Sequence, residues 1–274
     1  MRRRRKGSVL LHAALIVGVL FTLLPLVWMV GASFMPAGQA NSMPPRLVPQ
    51  HPTLQNYTAL FTRLDMLRNL ANSSIITVLA TVCSMLINSL AGYAFAKLPF
   101  PGREKLFQTL AAALVVPAQV GMLPLFLLLR ELGLVNTYAG ALVPFLASIF
   151  GIFLIRQYAL NVPDELLDAA RIEGANELQV FRLVALPVIK PILVTIAAFT
   201  FLAAWNDFLW PLIVLSDSHM YTLPVALAGL VGEHVQDTEL MMAGSVITIL
   251  PALIVFLIFQ RTYVQGIMSG GVKG

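Results

Sequence analysis

Six stretches of this 274-residue chain, residues 8–30, 73–96, 106–129, 138–157, 190–213 and 241–260, are long and apolar enough to cross a lipid bilayer. A spanning helix needs roughly 20 mostly apolar residues at about 1.5 Å each. In lipid every backbone polar group needs an internal partner, and runs of this length meet that need as helices. Composition agrees, since 58% of residues are hydrophobic and 11% charged, where soluble domains carry about 25% charged residues. With a mean hydropathy of +0.82, too little polar side chain exists to cover a soluble body of this size. The sequence therefore predicts an all-α integral membrane protein with six transmembrane helices. A single cysteine, Cys83, excludes an intrachain disulfide, and His12, His51, His219 and His234 stand alone, without metal-ligand spacing.

Six spans place both termini on one side, and Lys and Arg decide which. Fourteen of the 18 basic residues fall on the side of the termini: Arg2 to Lys6 within the basic segment 1–7, Lys97 to Lys105, Arg156 to Lys190, then Arg261 and Lys273. Arg46, Arg63, Arg68 and Arg130 take the other side. The termini are therefore expected in the cytoplasm. Six acids, Glu104 and five from Asp164 to Glu177, share the inner side, which leaves it at +8 and the outer side at −2. Asp207 alone lies inside a span. The net +5 is thus topological, fits contact with anionic lipid, and gives no support to nucleic-acid binding. A basic start before an apolar run also describes a signal peptide, but the run from Val9 to Val30 is too long for one and no cleavage site follows it directly.

The outer segment 31–72 opens with Pro36, Pro44, Pro45, Pro49 and Pro52, which break regular structure. Leu54, Tyr57, Leu60, Phe61, Leu64 and Leu67 then recur at helical spacing, as in an amphipathic helix lying at the interface. Asn56 and Asn72 begin Asn-x-Ser/Thr tripeptides that read as chance matches. Pro117, Gln119 and Pro124 predict a kink in span three that frees backbone groups near mid-membrane. Ala147 with Gly151 and Gly244 with Thr248 have the small-xxx-small spacing of close helix packing.

The inner loop 158–189 is far longer than a connection between neighbouring spans requires. Asn161, Pro163 and Asp164 read as a helix start, with Leu166, Leu167, Ala170 and Ile172 as its apolar face. Gly174 ends that helix, and Asn176 with Gln179 three residues later starts a second one that runs toward Pro187 and Pro191. Small side chains at Ala169 and Ala170 suit a helix that seats in a groove of another protein.

Asp168-Ala169-Ala170, then Gly174-Ala175 and Leu186-Pro187, resembles the EAA motif of the membrane subunits of ATP-binding-cassette importers. The usual first Glu is Asp168 here. Pro25-Leu26-Val27-Trp28, Gly92-Tyr93-Ala94-Phe95-Ala96, the run Trp205 to Pro211, and the tail from Val264 to Gly274 resemble the carbohydrate importers typified by the maltose system, in particular the shorter of their two membrane subunits. The likeness covers nearly the whole chain.

That resemblance implies a type I importer permease fold in a bacterial or archaeal cytoplasmic membrane. It also implies that Asp168, Ala169, Ala170, Gly174 and Ala175 form a coupling helix docked on an ATPase subunit. The expected partners are a homologous second permease, two copies of the ATPase, and an extracytoplasmic solute-binding protein that delivers a sugar or sugar-like solute. ATP and Mg would sit on the ATPases, since the chain has no GxxxxGK[ST] phosphate loop, and no cofactor is expected on the chain itself. The outer loop 214–240 is expected to reach toward the binding protein, and the tail 261–274 to insert between the ATPases.

Trp205, Asn206, Asp207 and Trp210, with Gln119 in span three, are the candidates for the translocation path. Aromatic faces with amide and carboxylate acceptors suit sugar hydroxyls, and an intramembrane carboxylate belongs in the bundle interior or in water. Trp210 is equally consistent with an interfacial anchor, and Asp207 with a structural hydrogen bond. A polytopic membrane enzyme lacks support because no catalytic cluster gathers near one face. A channel lacks support because no filter-like repeat occurs. The solute classes open to the sequence are mono-, di- and oligosaccharides, amino sugars and glycerol phosphates, and a non-sugar solute stays open as an alternative.

Overall fold

The computed structural model describes the backbone of residues 2–44, 46–63, 65–233 and 237–271, and their side chains apart from 2–10, 63, 231–233 and 261–271. Among the described residues the regular structure is all helical, with no strand. In chain order the α-helices are α1 (Arg2–Ser33), α2 (Gln55–Arg63), α3 (Met66–Lys97), α4 (Arg103–Ala113), α5 (Met122–Glu131), α6 (Tyr138–Leu146), α7 (Ile149–Ala159), α8 (Asp164–Ile172), α9 (Glu177–Val180), α10 (Leu186–Trp205), α11 (Leu209–Val214), α12 (Leu223–Glu233) and α13 (Thr238–Gly271). Single helices give four membrane-crossing segments, 11–33, 66–97, 177–205 and 238–260. Two bent pairs, α4 with the 3-10 turn Ala118–Gly121 and α5, and α6 with α7, bring the number to six when each pair is one span.

The bends have local causes. The helices of span three meet at 101° across residues 114–117, where Pro117 lacks an N–H to continue α4. Span four bends by 43° at Ala147 and Ser148, because the Ser148 side chain accepts the Gly151 N–H at 3.1 Å and so starts a new helix. The Asn88 carboxamide of α3 holds that break in place, accepting the Ser148 N–H at 3.0 Å. Ala147 and Gly151 therefore do not share one helix face, contrary to the spacing argument. Likewise, the outer amphipathic stretch is two elements: α2 ends at Arg63, Asp65 adopts a left-handed φ of 51°, and Leu67 already belongs to α3. Hydropathy marks what must sit in lipid, whereas helices continue as long as their backbone bonds can.

Two compact units divide the chain, one of residues 1–68 and 223–251, the other of 69–222 and 252–274. In the first, the end of α1 is closed by Asn56, whose amide donates to the carbonyls of Ser33 and Met35 at 2.9 and 2.8 Å. Tyr57 shares a 2.8 Å hydroxyl hydrogen bond with Ser33 and packs on Phe34. Glu239, fully buried at the start of α13, accepts the Ala40 N–H at 2.7 Å. A Cβ on Gly244 would collide with Leu227 of α12, so the helices approach closely there.

The second unit carries the main core: Tyr93 and Ala96 of α3, Ile155 and Ala159 of α7, Leu167 of α8, then Val180 to Ile196. A Cβ on Gly92 would come within 2.6 Å of Ile155, which makes glycine the residue that lets α3 and α7 touch. Asn72 is buried, not glycan-accessible: its amide donates to the His219 and Tyr221 carbonyls at 2.9 and 3.0 Å, and its oxygen accepts from Tyr138 at 2.7 Å. Asn56 is buried as well, so both tripeptides are structural.

Candidate functional site

The loop between α7 and α10 is built from two caps placed back to back. At the end of α8, Gly174 takes φ +90°, a left-handed conformation that glycine adopts without penalty. Its N–H bonds the Arg171 carbonyl and the Ala175 N–H bonds the Ala170 carbonyl, both at 3.0 Å, which is the Schellman closure of a helix. Immediately after it, Asn176 and Gln179 form a reciprocal capping box, the Asn176 side chain accepting the Gln179 N–H at 2.9 Å and the Gln179 side chain accepting the Asn176 N–H at 2.8 Å. Stop and start signals are thus separated by a single residue, which fixes the turn.

The start of α8 differs from the sequence expectation. Pro163 occupies the cap position, and Asn161 instead donates to the Gln157 carbonyl at 3.1 Å. The expected apolar face also splits. Leu167 is buried in the main core and Ala170 half-buried against it, whereas Leu166 and Ile172 are 52% and 87% exposed. Together with exposed Ala169 and Leu178 they leave small and apolar side chains open to solvent on the loop.

Charges pin this loop to itself and to α3. Arg171 donates to Asp168 at 2.8 Å and grips both Glu177 oxygens at 2.8 and 3.2 Å. One guanidinium therefore ties α8 to α9 across the turn, with the planar two-point geometry that arginine offers. Glu177 and Asp168 hold its proton more firmly still, raising Arg171 above its ordinary range. Lys97, at the end of α3, donates to Asp164 at 2.7 Å and to the Val162 carbonyl at 2.6 Å. The Lys97 hydrogen bond holds the Asp164 carboxyl below the usual carboxylate range. Beside it, Arg156 reaches Glu104 at 3.1 Å and lies 3.9 Å over the Phe107 ring. Asp168 is therefore not a free outward charge. Sequence reading missed Arg171 as the organiser, although two acids flanking it three and six residues away were the available signal.

The five path candidates lie at two separate helix breaks. Trp205 ends α10, 2% exposed and stacked on Phe201 at 6.0 Å. Trp210 is 1% exposed in α11, its indole N–H donating to the Gly140 carbonyl at 3.0 Å within a cluster of Ile76, Leu129, Ala141 and Val214. That partner and burial make Trp210 a core residue, not an interfacial anchor. Asp207 is half-buried and accepts from the Trp210 N–H at 3.5 Å, one residue before Phe208, which holds the cap position of the helix that follows. Asn206 is exposed and donates to the Leu202 carbonyl at 2.8 Å. Gln119 is exposed on the 3-10 turn of the bent third span. Asn206 and Gln119 are thus exposed on this chain, and the two indoles pack inward. Among the described residues no group of three or more His, Cys, Asp or Glu is placed to hold a metal ion.

Side chains of the tail 261–274, of the basic start 2–6, and of residues 231–236 in the outer loop lie outside the described residues. The rest of the outer loop is ordered as a 3-10 turn at Ser218–Met220 followed by α12.

Comparison with known proteins gives this architecture a family. The profile described as "Binding-protein-dependent transport system inner membrane component" matches residues 88–268. The chain is similar to the arabinooligosaccharides transport system permease protein AraQ of Halalkalibacterium halodurans, 38% identical over 278 residues that span 99% of this chain and 100% of that protein. It is also similar to the lactose transport system permease protein LacG of Rhizobium radiobacter, 31% identical over 99% of this chain and 98% of that one. Among solved structures, a chain of a bacterial ABC transporter involved in the import of the acidic polysaccharide alginate superposes with a TM-score of 0.84 at 25% identity, covering 95% of this chain and 98% of that chain. With the six-span helical fold and the doubly capped loop, these matches show that the chain belongs to the family of binding-protein-dependent transport system inner membrane components, the permeases of ATP-binding-cassette importers.

Proposed function

We propose that this permease carries a neutral sugar, of disaccharide or short oligosaccharide size, across a bacterial or archaeal cytoplasmic membrane, driven by a separate ATPase that docks on residues 161–179. The observation that carries the reading is the loop itself. A rigid, doubly capped turn that leaves Ala169, Ile172 and Leu178 exposed while Leu167 anchors it in the core is suited to transmit a push. Beyond Gly174 the chain is helical from Glu177 to Trp205, so one helix carries a force on the loop toward the Asn206–Phe208 break.

In this reading the loop and both termini face the cytoplasm, which the +8 charge on that side supports. The chain pairs with a homologous permease, two ATPase subunits that hold ATP and Mg, and an outer solute-binding protein. Asn206 and Gln119 line the path. Relatives that transport arabino-oligosaccharides and lactose support a sugar, and the −2 outer charge disfavours an anionic one. The test is uptake by the transporter reconstituted in vesicles with its ATPase and binding protein, using radiolabelled neutral and anionic sugars. Neutral-sugar uptake that requires ATP inside the vesicle is expected; uptake without the ATPase subunit would overturn the reading.

A further inference from the structure

The helix that leaves the loop is irregular at one place. Between α9 and α10, residues Phe181–Ala185 form a π turn, the single one among the described residues. Pro187 supplies a cause, because it has no N–H to give to the Leu183 carbonyl and its ring would crowd that oxygen. Such turns hold one residue more than an α turn and occur often at functional positions. Phe181 at its start sits against Tyr93 of α3, ring centres 5.2 Å apart.

Tyr93 is unusual in its own right. It is 3% exposed, and its hydroxyl has no hydrogen-bond partner. A buried hydroxyl left unpaired is unfavourable, and phenylalanine would fill the same core space without that penalty. Four residues before Phe181 stands Glu177, whose carboxylate Arg171 grips to close the loop. Glu177 stands in the first turn of the same helix whose π turn touches Tyr93.

We propose that Tyr93 is a positioning residue of the coupling step: its hydroxyl, unpaired in this conformation, donates to the Glu177 carboxylate in the other, when the π turn at Phe181–Ala185 rewinds. Rewinding one residue turns the start of the helix by about 100° and shifts it by about 1.5 Å, which moves Glu177, at that start, relative to Arg171 of α8 and Tyr93 of α3. Glu177 then passes from Arg171 of α8 to Tyr93 of α3, and the loop has two hydrogen-bonded registers in place of one. The proposal rests on the reading of residues 161–179 as the ATPase-coupling loop.

The experiment uses the complete transporter with Tyr93→Phe, Glu177→Gln and the double variant. It measures thermal stability, ATPase subunit retained on purification, binding-protein-stimulated ATP hydrolysis, and uptake. Tyr93→Phe is expected to leave stability and ATPase retention unchanged or raised, and to lower uptake about ten- to a hundredfold, the factor a hydrogen bond to a charged group is worth. The two substitutions are expected to be non-additive in uptake. Unchanged uptake in Tyr93→Phe, or strict additivity, overturns the role of Tyr93. A fall in stability overturns it too, by showing that the hydroxyl is already paired. Failure of the wild-type complex to retain the ATPase subunit through this loop instead overturns the coupling reading beneath it.

Discussion

The turn at Gly174 and the break at Asn206 lie at opposite ends of one helix, and they are built by different means. The hydrogen bonds that close the first come from within about a dozen residues: the Schellman closure at Gly174, the capping box at Asn176 and Gln179, and the Arg171 fork between Asp168 and Glu177. The second is set from far along the chain, by the Gly140 carbonyl that receives the Trp210 indole and by a cluster drawn from α3, α5, α6 and α11. Local determination leaves a rigid element free to present its surface to another protein. Long-range determination holds the second by packing its indoles into the core, while Asn206 beside them stays exposed.

Substitutions at the two ends should therefore fail in different ways. The largest effect is expected from Trp210→Ala, which empties a fully buried site and removes the partner of Gly140. A loss of about 3–5 kcal/mol of stability is expected, seen as a large fall in the melting temperature of the purified complex, with uptake lost as a consequence. Gly174→Val comes next. Nothing crowds a Cβ there, so the penalty is the left-handed backbone itself, about 1–3 kcal/mol for a branched residue. Because that strain is local, uptake and ATPase retention should fall by an order of magnitude or more, equivalent to about 1.4 kcal/mol, while the melting temperature falls less than for Trp210→Ala. If Gly174→Val instead melted the whole protein as severely, the contrast between the two ends would be lost.

Much of the first region was legible in the sequence because its signals are short-range: a glycine, then an asparagine and glutamine three apart. The second was not. Trp210 carries no local mark that separates a sugar-facing indole from one turned into the core, and its bond to the distant Gly140 carbonyl decides it. The same limit explains α8, where Leu166, Leu167, Ala170 and Ile172 fit one helical stripe, yet only Leu167 and Ala170 meet the core. Six spans were readable from hydropathy. The 101° and 43° bends depend on where prolines and Ser148 interrupt the bonding, and for the latter on Asn88 of another helix.

Smaller effects sharpen the comparison. Arg171→Gln should cost about 1 kcal/mol, as partly exposed ion pairs do, and should loosen the loop alone, measured as faster amide exchange over residues 164–180 with the break at 206–208 unchanged. Smallest is the Lys97–Asp164 contact. Because Lys97 holds the Asp164 carboxyl below its ordinary range, this pair steadies the loop above the unfolded carboxylate value of about pH 4, and its contribution disappears as the pH falls through the depressed folded-state value. Asp164→Asn should abolish that acid dependence in amide exchange at the start of α8; a dependence of the same size in the variant would assign it to another group.

The central claim is that residues 161–179 contact the ATPase. The direct measurement is disulfide cross-linking of Ala169→Cys, in a Cys83→Ala background, to cysteines introduced in turn on the face of the ATPase subunit nearest the membrane. The account predicts a cross-link at Ala169 that changes in yield when ATP is added, and none from Leu167→Cys, whose side chain is buried. No cross-link from Ala169, or an equal one from Leu167, would contradict it.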